Sequence, residues 1–126
     1  MKEVVNSDKA PAPLGPYSQA IKANNTLYVA GQIPINQETG KIISGSIEEE
    51  TEQVMNNLQF ILKEAGLGFE DVVKCSIFVS DMSNFGKINE VYGQFFTENP
   101  PARETVEVSG LPKGVNVEIS CIAVFS

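Results

Sequence analysis

The segment from Asn116 to Phe125 reads as a strand that is apolar on both of its sides. One side carries Val117, Ile119, Cys121, Ala123 and Phe125, while the other begins with Glu118 and Ser120 and ends with Ile122 and Val124. Side chains alternate across a strand, so a segment of this kind has to be covered twice. Helices from the same chain can cover one face. The other face needs a second surface, and burial at about 25 cal/mol per Å² of apolar area makes self-association the expected solution. A loop or the N-terminal segment laid over that face is the alternative within one chain.

The rest of the pattern supplies the helices. Ser46 followed by Glu49 makes a capping box, and Glu48 to Glu50 put negative charge at the positive end of a helix dipole. Ile47, Thr51, Val54, Met55, Leu58, Ile61, Leu62 and Ala65 then recur at helical spacing until Gly66 supplies a stop. A second helix is predicted over residues 83–96, with Phe85, Ile88, Val91, Tyr92 and Phe95 on one face and Gly86 and Gly93 weakening it. Strands are predicted at 17–23 and 26–30, joined by Asn24-Asn25 in a hairpin, and at 72–80, 104–109 and 116–125. Residues 34–45 have no clean period and read as a loop with an extended piece at Ile42-Ile43. The order β-β-α-β-α-β-β over a single domain, residues 1–126, predicts an α+β fold with a mixed sheet and both helices on one face.

Composition narrows the function. A net charge of −7 opposes nucleic-acid and anionic-membrane surfaces, which rely on Lys and Arg. No apolar run approaches the roughly 20 residues of a spanning helix, and the first residues do not form a secretory signal, so a cytoplasmic location is expected. The chain has no histidine. That removes Ser-His and Cys-His nucleophile pairs, histidine-assisted RNA cleavage and most zinc chemistry. Cys75 and Cys121 stand alone in apolar stretches and read as buried thiols.

Catalysis would therefore run on carboxylate, Arg, Tyr, hydroxyl and backbone groups. Tyr17 follows a rigid Gly15-Pro16 turn, as a packing residue or as a hydrogen-bond donor. Arg103 enters a strand after Pro100-Pro101-Ala102 and offers a planar fork for a carboxylate, unless it pairs with a surface acid. Alternation puts Thr105 on the same side of that strand. Glu118 interrupts an apolar strand and needs a partner, for which Lys113 is a candidate, or a chemical role.

Several of these pieces occur together in a known order. Gly15-Pro16-Tyr17-Ser18-Gln19-Ala20, Gly31-Gln32-Ile33-Pro34, Asn89 to Phe96, Pro101-Ala102-Arg103 with Val106-Glu107-Val108, and Leu111-Pro112 leading to Val117-Glu118-Ile119 resemble the RidA (YjgF/YER057c/UK114) family across nearly the whole chain. The resemblance implies a chorismate-mutase-like fold in a barrel-like homotrimer, with clefts between subunits. It implies hydrolysis of reactive 2-imino acids to 2-keto acids and ammonia, without metal or organic cofactor. In that pattern Arg103 clamps the substrate carboxylate, Glu118 orients the attacking water, and Tyr17 is contributed to the cleft by another subunit. Gly31 and Asn89 line or support the pocket, and backbone N–H groups around Thr105 help to fix the carboxylate. Two positions depart from typical imine deaminases: Ala30 replaces a serine and Thr105 replaces a cysteine. These changes leave room for a non-catalytic protein that binds 2-keto or 2-amino acids, and an endoribonuclease is the further rival.

Overall fold

The computed structural model describes residues 1–126. Six strands form one sheet: β1 (Lys2–Val5), β2 (Ala20–Ala23), β3 (Thr26–Gln32), and then, beyond a two-stranded hairpin of β4 (Ile35–Asn36) and β5 (Lys41–Ile42), β6 (Val72–Val79), β7 (Ala102–Glu107) and β8 (Val117–Val124). The spatial order is β1-β2-β3-β8-β6-β7, with β6 and β7 parallel and every other pair antiparallel. Helices α1 (Ile47–Glu64) and α2 (Phe85–Gly93) pack on each other and on one face of this sheet, as the sequence pattern predicts.

Local chemistry explains the elements. The Oγ of Ser46 accepts from the Glu49 N–H at 3.1 Å, which is half of the predicted box. At the other end Gly66 adopts a left-handed φ of 79°, and Leu67 N–H bonds to the Leu62 carbonyl in a Schellman turn. Between them Val54, Met55, Leu58, Ile61 and Leu62 are completely buried against Val117, Ile119 and Ala123 of β8 and Leu27 of β3. Asn24, at φ 55°, makes the predicted two-residue turn between β2 and β3.

Five features differ from the sequence reading. The strand predicted at 17–23 begins only at Ala20, because Gln19 is turned inward. Its amide receives the Ser7 N–H at 2.7 Å and donates to the carbonyls of Ser7 and Pro11 at 3.1 and 2.9 Å, fastening the preceding loop. The N-terminal residues form β1, which extends the sheet at its edge and leaves the second sheet face uncovered. The loop over 34–45 contains the β4-β5 hairpin, and the second helix is confined to nine residues, with a 3-10 turn at Met82–Asn84 before it. The seventh strand starts at Ala102, which brings Arg103 inside the ladder.

The uncovered face carries Ile21, Tyr28 and Ile122 in one cross-strand row, with Phe78 opposite Val106 nearer the β7 edge. Tyr28 on the inner strand β3 is 50% exposed and Val106 on the edge strand β7 40% exposed, so this face leaves large side chains open to water. Cys75 and Cys121 face each other across β6 and β8 on the covered side, both buried and both reduced. No helix is long and apolar enough to cross a membrane.

Candidate functional site

One set of predicted residues meets in a cavity. Tyr17, Gly31 and Glu118 line a space of about 290 Å³, with Ala30 beside them and Leu14, Ile33 and Pro112 supplying apolar wall. Glu118 reaches it from the uncovered face of β8, opposite Phe78. Its carboxylate lies over Gly31. A Cβ built at Gly31 would overlap Oε2 and stand 2.8 Å from Cδ, so only glycine leaves the carboxylate where it is. Glu118 makes no ion pair with Lys113, since the one ion pair of the chain joins Lys74 and Glu104 at 3.2 Å. Desolvation by its surroundings pushes the Glu118 carboxyl above its ordinary range.

Tyr17 lies in the loop before β2 and is half exposed. Its hydroxyl oxygen accepts the Leu14 N–H at 3.0 Å, which pins the Gly15-Pro16 turn and leaves the phenolic proton free to donate into the cavity.

Two buried polar residues of α1 hold the cavity walls. Asn57 is completely buried and donates to the carbonyls of Ile33 and Ile35, each at 3.0 Å, while Gln53 donates to its Oδ1 at 2.9 Å. Glu50 accepts from the backbone N–H and the side chain of Asn116 at 3.1 and 2.8 Å, and so anchors the chain just after the 3-10 turn that contains Pro112.

The second set lies elsewhere. Arg103 pairs in register with Cys75, and Thr105 with Ile77, so both belong to the helix-covered face. They stand on β7, an edge strand, whereas Glu118 projects from the opposite face. The Arg103 guanidinium sits over the rings of Tyr92 and Phe85, 5.0 and 5.5 Å from their centroids. Asn89 falls between these two aromatics on α2, four residues after the first and three before the second, and is half-buried. The hydroxyls of Thr105 and Tyr92 are both buried without a hydrogen-bond partner. The Cys75 thiol next to Tyr92 is a weak acceptor that does not meet hydrogen-bonding geometry, and burial pushes the pKa of the phenol and of that thiol up, so both stay protonated more firmly than in water.

A single chain thus carries two separate clusters: an unpaired carboxylate with a phenol at a cavity, and an unpaired guanidinium over two aromatic rings at the sheet edge. The sequence reading named the members of both and missed their supports. Asn57 carries no motif that marks it, Gln19 and Glu50 fall in a family motif and an acidic helix start that give no sign of these hydrogen bonds, and the spacing of Phe85 and Tyr92 reads equally well as an ordinary apolar helix face. No group of three or more Cys, Asp or Glu side chains is gathered to hold a metal ion.

Comparison with known proteins places the chain in a family. A family model described as Endoribonuclease L-PSP matches residues 7–125. A RutC family protein of Pyrococcus horikoshii is 53% identical over 123 residues, covering 98% of each chain. The 2-iminobutanoate/2-iminopropanoate deaminase of Mus musculus is 42% identical over 124 residues, covering 98% of this chain and 92% of its own. The crystal structure of a protein of unknown function of the conserved Rid family from Yersinia pestis superimposes with a TM-score of 0.96 at 45% identity, over 98% of this chain and 99% of the other. On both sequence and fold, this chain belongs to the RidA family.

Proposed function

We propose that the protein hydrolyses reactive 2-imino acids to 2-keto acids and ammonia, in clefts that a homotrimer completes between neighbouring copies. The observation that carries this reading is the separation of two complementary, unpaired groups on one chain, Glu118 at its cavity and Arg103 on the sheet edge. An edge strand and an uncovered apolar sheet face are the surfaces through which copies associate, and association of that kind can bring one copy's edge to another's cavity. The likeness to a mouse protein named for 2-iminobutanoate and 2-iminopropanoate supports the substrate class.

In the assembled cleft Arg103 binds the substrate carboxylate with its planar fork of donors, and Asn89 and the β7 backbone around Thr105 line that end. Glu118 holds a water against C2. As the water oxygen bonds to C2, Glu118 takes one of its protons and the C=N π electrons move to nitrogen, giving a carbinolamine. Glu118 passes that proton to nitrogen and then takes the hydroxyl proton as the O–H electrons form the C=O bond and the C–N bond breaks, releasing ammonia and leaving the 2-keto acid. A protonated imine is electrophilic enough for a carboxylate base, so histidine is not needed. Tyr17 donates its free proton toward the reacting oxygen or nitrogen, and Gly31 keeps the floor low enough for the carboxylate.

The family model's description names a ribonuclease. A net charge of −7 and the lack of histidine weigh against that activity, since RNA binding draws on Lys and Arg and many RNA-cleaving sites on histidine. Ala30 and Thr105, at positions where deaminases carry serine and cysteine, favour a second reading in which the clefts bind 2-keto or 2-amino acids without turnover. One assay separates the readings: the protein is incubated with a threonine dehydratase and threonine, and 2-ketobutyrate is followed. Acceleration over the spontaneous rate is expected; its absence with 2-ketobutyrate binding intact would establish the binding reading instead.

A further inference from the structure

We infer that Phe85 and Tyr92 are positioning residues for carboxylate binding: the two rings of α2 hold the Arg103 guanidinium by cation–π attraction and leave its N–H donors for the substrate. The inference rests on the proposed role of Arg103 in the reading above.

The argument starts from the cost of using a long side chain. A free Arg loses about 2 kcal/mol of rotamer freedom when it is fixed in one geometry. A guanidinium that must first be ordered by the substrate takes that cost out of affinity, and a preordered one does not. Arginines in binding sites are commonly ordered by a carboxylate, but that partner would occupy the same N–H donors that the substrate needs. Arg103 has no carboxylate partner. It lies over two rings instead, 5.0 Å from the Tyr92 centroid and 5.5 Å from that of Phe85.

Ring and carboxylate engage a guanidinium differently. All five N–H donors lie in the plane of the group, and with both rings within the roughly 6 Å of cation–π attraction and no acid paired with Arg103, none of them is taken up by a carboxylate. The rings are also attracted to the positive charge without neutralising it, as an acid would. The supports themselves are rigid. Tyr92 is 6% exposed and belongs to the main core, and Phe85 stands seven residues earlier, two turns along the same helical stripe. Phe85 is 39% exposed within one chain, a large apolar ring at the start of a helix.

Because Phe85 is exposed, its substitution leaves the core intact and can be tested without loss of folding. Phe85→Leu removes the ring, Phe85→Tyr restores one, and Tyr92→Phe keeps the ring while deleting the hydroxyl. The affinity for 2-ketobutyrate, measured by calorimetry, and the KM for the dehydratase-generated imine should both weaken about two- to fivefold in Phe85→Leu, with kcat unchanged. Phe85→Tyr and Tyr92→Phe should remain at the wild-type values. Independently of any ligand, the Arg103 Nε–Hε resonance should carry a ring-current shift that Phe85→Leu diminishes. A wild-type protein that binds and turns over, with Phe85→Leu equal to it in KM and affinity, would overturn this inference alone. A wild-type protein that neither binds 2-ketobutyrate nor turns over the imine would overturn the reading beneath it and this inference together.

Discussion

The Glu118 carboxylate occupies the space that a side chain at Gly31 would fill, so the two residues define each other's identity. The strand pair β3-β8 slips in register between Val29 and Gln32, and this irregularity presents the Gly31 backbone to the carboxylate. Gly31→Ala should therefore displace Glu118 without disturbing the core. We expect kcat/KM for the imine to fall about a hundredfold, the loss typical of an ångström-scale misplacement of a reacting group, while thermal unfolding changes little. Steady-state kinetics alongside differential scanning fluorimetry would check both halves.

Glu118 also sets a pH dependence. Its folded carboxyl titrates above the ordinary glutamate value because of desolvation. As a base it acts only when ionised, so kcat should decline as pH falls through that raised value. Glu118→Gln should lose about 10²- to 10⁴-fold in rate and the acid limb with it.

Stability should run in the other direction. A group whose folded pKa lies above its unfolded value favours the fold fully below the unfolded value, near 4.3, and that contribution is lost as pH rises through the folded one. The melting temperature of Glu118→Gln should thus gain on the wild type between about pH 4 and neutrality. A constant difference across that range would show that Glu118 is not desolvated.

Arg103→Ala and Glu118→Ala should each be inactive alone yet complement each other. If each cleft takes its guanidinium from one copy and its carboxylate from the next, refolding an equal mixture places two intact halves together in about a quarter of the clefts. Recovery on the order of a quarter of wild-type activity is expected, read by 2-ketobutyrate formation after co-refolding. No recovery, with mixed oligomers verified by native mass spectrometry, would place both groups in the same copy's cleft.

Asn57→Ala removes the donor shared by the Ile33 and Ile35 carbonyls inside the protein. Leaving these buried acceptors short of a partner should cost about 1–3 kcal/mol of stability in urea unfolding. The same change should raise KM, because the freed segment is a wall of the cavity.

The helices, the late strands and the need for a covered second face were legible because each rests on periodicity and capping, which act within a few residues. Ser46 and Gly66 mark the ends of α1 in the sequence and in space. The start of β2 was not legible, since Gln19 leaves the strand pattern to satisfy four backbone groups of residues 7–11, a choice made by contacts twelve residues away or fewer but invisible to alternation. For the site, Gly31 and Glu118 line one cavity, and Tyr17, expected from another subunit, lines it from the same chain. Arg103 was expected to share their cleft, and within one chain it faces the other side of the sheet. Alternation alone assigns Arg103 and Glu118 a side of their own strands; which sides coincide depends on the registers of β7 on β6 and of β6 on β8, and no local signal encodes those.

Strand β7 is bonded to a neighbour along one side only, and it is the parallel member of an otherwise antiparallel sheet. Its outer amides and carbonyls hold on to nothing within the chain. On progressive dilution, the arm bearing Arg103 should consequently be the first piece of the sheet to fray, and specific activity should fade while far-ultraviolet ellipticity barely moves.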